Sequence, residues 1–87
     1  METSKTIAGE NVFSEPIVLV GKFNFSLSGV FDADVYVQRS FDSGVWRDVA
    51  SFTDPGEYVG EEPEANVRYR FGVKNYRSGS VVGRLSQ

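Results

Sequence analysis

From Asp34 to Phe52 two runs of alternating side chains meet at Phe41-Asp42-Ser43-Gly44, and this pairing restricts the fold more than any other stretch of the sequence. Asp can bond its own backbone ahead, and Gly accepts a positive φ. Turn residues of this kind between alternating apolar runs specify a β-hairpin. On the first run Val35, Val37 and Arg39 share one face, and Asp34, Tyr36, Gln38 and Ser40 the other. On the returning run, Val45–Phe52, the parity is mixed. Trp46, Ala50 and Phe52 fall on one side and Val45, Arg47 and Val49 on the other. That mixture predicts a bulge near Arg47-Asp48, or a strand covered on both faces.

The same grammar recurs along the chain. Pro16 precedes the apolar run Ile17–Val20, which marks an edge strand or a strand start. After Gly21, the residues Phe23, Phe25 and Leu27 alternate with Lys22, Asn24, Ser26 and Ser28. A connection is expected over Gly29–Ala33, and Asp54-Pro55-Gly56 forms a strong turn. Glu57–Gly60 reads as a short strand and Glu61–Asn66 as a loop. Val67, Tyr69, Phe71 and Val73 then face inward opposite Arg68, Arg70 and Lys74, before a turn over Asn75–Ser80 and a last strand at Val81–Leu85. About seven short strands spaced by roughly 8–12 residues predict an all-β fold, a small β-sandwich of immunoglobulin/fibronectin-like or jelly-roll order. No stretch of helical periodicity competes with it. Residues 1–11 are polar and aperiodic and are read as a flexible N-terminal arm, leaving 12–87 as the single domain.

With 87 residues one core is the limit, and the 14% aromatic content supplies much of it. The chain has no cysteine and no histidine. The usual nucleophile, general base and zinc ligands are therefore missing, and no enzyme, cofactor or metal is expected. Carboxylate pairs such as Asp32/Asp34 read as polar surface rather than as acid–base machinery. Glu61, Glu62 and Glu64 lack the spacing of a calcium loop. No run of 18 apolar residues is present, so no membrane partner is expected. Residues 1–11 lack the apolar core of a secretion signal, which predicts cytosolic synthesis. A net charge of −3 argues against a nucleic-acid partner.

Charge is segregated. Asp54, Glu57, Glu61, Glu62 and Glu64 form a block without a basic residue, and Arg68, Arg70, Lys74, Arg77 and Arg84 follow without an acidic one. One reading is a solvated face with internal pairing. The sharper reading makes these ten residues an interface, one subunit's acidic loop meeting another's basic strand.

Two local motifs resemble known structural devices. Ser40–Trp46 is similar to the Asp-box hairpin of sialidases and related propellers, with one residue fewer before the tryptophan; this implies Asp42 bonding turn amides and Trp46 packed beneath. Asn66–Val73, after Pro63, resembles the corner of fibronectin type III and immunoglobulin-like domains, which implies that the Tyr69 hydroxyl bonds backward to backbone.

Residues 35–87 as a whole resemble small β-domain virion proteins of tailed phages and prophages. The likeness rests on Gln38-Arg39-Ser40, Asp42-x-Gly44, Trp46, Phe52-Thr53, Glu61-Glu62-Pro63, Tyr69-Arg70 and Ser78-Gly79. It implies a non-enzymatic capsid decoration or cement protein that stabilises the head shell, or a head–tail or tail component. It also implies a capsid or other virion protein as partner, a homo-oligomer with a trimer favoured, and residence in the virion after synthesis in the host cytoplasm. A carbohydrate-binding module is the alternative, with Tyr36, Trp46, Tyr58 and Tyr76 as its sugar-stacking candidates.

Overall fold

A computed structural model describes residues 1–41 and 44–87. Among the described residues there are seven strands and no helix: β1 (Glu2–Ile7), β2 (Val12–Phe13), β3 (Ile17–Ser28), β4 (Phe31–Ser40), β5 (Arg47–Phe52), β6 (Gly56–Gly79) and β7 (Val81–Ser86). All pairs are antiparallel and run in the order β1-β7-β3-β6-β4-β5, with β2 added to β6. The all-β architecture expected from the alternation is what forms.

The sheet folds over on itself because β6 serves two neighbourhoods. Its first part pairs with β3 alone, from Leu27↔Gly56 to Gly21↔Glu62; β3 rejoins it at Val67–Tyr69, and from Arg68 onward it pairs with β4, from Ser40↔Arg68 to Phe31↔Gly79. Side chains from the two parts then meet across the interior. Phe25 of β3 lies 5.6 Å from the Phe52 ring and 5.3 Å from the Phe71 ring, although neither residue is its ladder partner. Phe71, Leu19, Val35, Val67, Val73, Val81 and Leu85 are wholly buried. Each such side chain contributes on the order of 1.5–3 kcal/mol of hydrophobic stabilisation.

The crossing from one layer to the other uses two glycines. The β3–β4 link passes directly over the β6–β7 link. A Cβ on Gly29 would collide with the Ser80 carbonyl oxygen, and one on Gly79 with the Val30 carbonyl oxygen. Both residues have positive φ, 104° and 89°. Only glycine meets both demands without strain.

Several expectations are corrected. Residues 1–11 are not an arm apart from the domain. Glu2–Ile7 pairs along its whole length with β7, and Thr3 and Ile7 are buried against the core. The alternation there was concealed by Lys5, which sits at a core-facing position yet stays exposed at the sheet edge. Gly21 does not end its strand: with φ of 75° it marks an irregularity within β3. Glu61–Asn66 remains extended within β6, although four residues, Pro63–Asn66, stand opposite the single Val20 and so leave the ladder. The strand after Ala33 begins earlier, at Phe31, and the turn expected over Asn75–Ser80 is largely strand. The β4–β5 ladder holds as expected, with its bulge at Val49, which falls between the pairs Val37↔Ala50 and Gln38↔Asp48. The reading of Asp42 lies outside the described residues; Gly44 does adopt positive φ, 91°.

The two classes of glycine predict different outcomes. Gly79→Ala meets backbone as well as a left-handed φ, and should lower the unfolding free energy by roughly 2–4 kcal/mol. Gly21→Ala meets no atom within 4 Å and should cost only about 1 kcal/mol. Urea unfolding of the two variants measures the difference; equal losses would mean that the corner is not as tightly crossed as described.

Candidate docking site

β5 and the first part of β6 are consecutive and joined only by residues 53–55, yet among the described residues no ladder joins them. Each lies in a different layer: β5 pairs with β4, and Gly56–Glu62 pairs with β3. They stay together near the turn, where the Phe52 and Tyr58 rings stack at 4.0 Å and the Tyr58 hydroxyl donates to the Asp54 carbonyl at 3.0 Å. Away from the turn they part. The resulting seam is a cleft of about 210 Å³ lined by Phe23, Phe25, Val37, Ala50, Phe52 and Tyr69, with Val49, Val59 and Glu61 at its rim. An apolar cavity of about 150 Å³ accommodates a benzene ring, so this cleft has room for one large side chain.

The floor of the seam is held by a buried carboxylate. Glu62 is 1% exposed. Its Oε1 accepts from the Tyr69 hydroxyl at 2.7 Å and faces the Arg39 guanidinium at 2.6 Å; its Oε2 accepts from the Glu64 amide at 3.0 Å. Burial by itself would push the Glu62 carboxyl up. The hydrogen bonds from Tyr69, the Glu64 amide and Arg39, with the Arg39 charge, outweigh it and hold the carboxyl below the usual range. Burial, together with the bond to Glu62, pushes the Tyr69 hydroxyl up to about 12. The corner expectation for Tyr69 is therefore half met: the hydroxyl bonds backward, but to a side chain seven residues earlier rather than to backbone.

The ten charged residues expected to form an interface separate into three sets. Glu62 is corrected outright, since a carboxylate this buried and this fully paired has nothing to offer another subunit. Most of the basic block finds acids from distant parts of the same chain. Arg84 pairs with Glu2 at 3.2 Å, Lys74 with Asp48 at 3.5 Å, and Arg77 with Asp32 at 2.6 Å and Asp34 at 3.6 Å. Arg70 donates to Gln38 at 2.9 Å and is sandwiched between the rings of Phe13 and Trp46, at 4.2 and 4.3 Å. Desolvation there pulls its guanidinium below its ordinary value. The remaining set, Arg68 with Asp54, Glu57, Glu61 and Glu64, makes no ion pair among the described residues; the four acids all follow β5, and Glu61 lines the seam.

Trp46 is not beneath the hairpin in the core. It is half-buried on the outer face, against Arg70. The four candidate sugar platforms do not form one strip. Tyr36 stands under the Lys74 ammonium and Trp46 under Arg70, Tyr58 turns inward beside Phe25, and the Tyr76 hydroxyl donates to the Gly79 carbonyl. Sequence reasoning missed the seam, because Val49, Val59 and Gly60 carry no motif. The mixed parity around Val49 was its only trace. Comparison with family models, curated proteins and solved structures finds no match.

The Tyr69–Glu62 pair predicts a pH signature at both ends. The folded-state Glu62 is held low, so its contribution is present above the unfolded carboxyl value and fades as pH falls through the lower folded one. The folded-state Tyr69 is held high, so its contribution is complete below about pH 10 and is lost as pH climbs towards 12. Tyr69→Phe should cost about 1.5–3 kcal/mol at pH 7 and should flatten the alkaline decline in denaturant titrations. An alkaline slope identical to wild type would show that Tyr69 is not the titrating group.

Proposed function

We propose that this chain is a non-enzymatic assembly domain of a tailed-phage particle, a decoration or cement protein that docks on the head shell through its β5–β6 seam. The observation that carries docking is the seam itself: an apolar cleft between two unjoined strands, rimmed by Val49 and Val59, which are 47% and 78% exposed. Support for a particle comes from the resemblance of residues 35–87 to small virion β-domains. Lys74, Arg77 and Arg84 are committed to acids of neighbouring strands, as suits a rigid part that bridges neighbours. Many copies on a lattice multiply a weak single contact into strong total binding. In the same reading the free protein self-associates, with a trimer favoured by the resemblance.

The reading predicts that the chain is present in purified particles. Mass spectrometry of gradient-purified virions induced from a strain carrying the gene should detect it in stoichiometric amount, and the purified chain should co-sediment with empty heads. Its absence from particles, with no co-sedimentation with heads or tails, would overturn the reading. Sedimentation velocity of the free chain tests the oligomer separately.

A further inference from the structure

The sheet has several free edges, and they differ in how they are protected. Edge strands invite pairing with other chains unless a bulge, an inward charge or shortness prevents it. β1 carries Lys5 at a core-facing position. β2 is two residues long. β5 is bulged at Val49. The seam-side edge of β6, Glu57-Tyr58-Val59-Gly60-Glu61, carries none of these. Its ladder with β3 is regular throughout, from Ser26↔Glu57 to Lys22↔Glu61, and its other side pairs with no strand among the described residues. Val59 at its centre is among the most exposed apolar residues of the domain.

We infer that this edge receives an extended strand of a partner protein, antiparallel to β6, with the pattern basic–apolar–β-branched–apolar–basic. The chemistry follows from the register. Residues directly opposite in an antiparallel pair share a face. Tyr58 and Gly60 pair with Phe25 and Phe23 on the inward face, so the partner residues opposite them face inward and are apolar, the one opposite Gly60 entering the cleft and the one opposite Tyr58 covering that ring. Val59 lies on the outer face beside Asn24, so its opposite is an exposed β-branched residue. Glu57 and Glu61 close the two ends of the edge and make no ion pair among the described residues, so their opposites are Lys or Arg. The Glu57 Oε1 accepts from the Ser26 hydroxyl at 2.7 Å, which orders that carboxylate at the end of the edge. Main-chain bonds supply affinity in this mode, and alternate side chains supply selection.

This inference rests on the docking reading but not on the particle. The probe is the peptide Thr-Lys-Phe-Val-Leu-Lys-Thr, compared with Thr-Glu-Phe-Val-Leu-Glu-Thr and with a peptide of the first composition that places both lysines together. Titration of the full chain, followed by NMR, should show shifts and slowed amide exchange at residues 57–61. The first peptide should bind at least tenfold tighter than the other two. Glu61→Lys, an exposed change that leaves the fold intact, should abolish the preference between the lysine and glutamate peptides, since Glu57 still favours lysine at the other end. Ala50→Phe, which fills the cleft from the β5 side, should weaken all binding at least tenfold. Equal binding of the three peptides, protection at β1 or β5 instead, or an unchanged preference in Glu61→Lys would overturn the inference. If the chain is in particles but the peptides leave 57–61 unshifted, strand addition fails alone; if the peptides bind and particles lack the chain, the particle reading fails alone.

Discussion

The fold depends on one strand belonging to two layers. β6 runs for 24 residues, and no single flat sheet of this small domain could pair it throughout. It must bend, and the bend falls at Pro63–Asn66, where the β3 ladder is interrupted before resuming at Val67 and Asn66 takes a positive φ of 66°. A bend exposes backbone groups that a straight ladder would satisfy. Glu62 answers this locally by accepting the Glu64 amide, and at longer range by gathering the Tyr69 hydroxyl and Arg39. Residues before, within and after the bend, together with a residue of β4, are thus tied to one carboxylate. Breaking such a buried cluster leaves an uncompensated charge, which makes it a point of geometric control rather than a large source of net stability.

The seam is the consequence of that bend. Once β6 has turned from one layer to the other, its first part and β5 lie in different layers and diverge from their shared turn. Tyr69 links the two features physically: its hydroxyl holds the Glu62 carboxylate, while its ring, 4.9 Å from that of Phe23, lines the cleft. The floor of the proposed docking groove is thereby rigid, which lowers the entropy lost when a partner strand is ordered against it.

The electrostatics show how a charge count along a chain misleads. Five acids followed by five bases suggested attraction between copies, yet the basic block mostly finds its partners elsewhere in the chain. Arg84 reaches Glu2 because β1 and β7 are neighbours, and Arg77 reaches Asp32 and Asp34 because β4 and β6 are. Exposed pairs of this kind contribute little individually. Their effect is to remove most of the basic block from the list of free surface charges, and the unpaired acids after β5, with Glu61 at the seam, then stand out.

The all-β class, the β4–β5 hairpin, the bulge and the inward set Val67, Tyr69, Phe71 and Val73 were legible in the sequence, because alternation and turn chemistry are properties of neighbouring residues. The strand at Glu2–Ile7, the inward turn of Glu62 and the surface position of Trp46 were not. Each depends on what a remote segment places alongside: β7 beside β1, Arg39 and Tyr69 around Glu62, Arg70 over Trp46. Local periodicity determined which faces are apolar. Only the closed tertiary structure decided which edge stays unpaired, since an edge is defined by the absence of a neighbour that many other strands could have supplied.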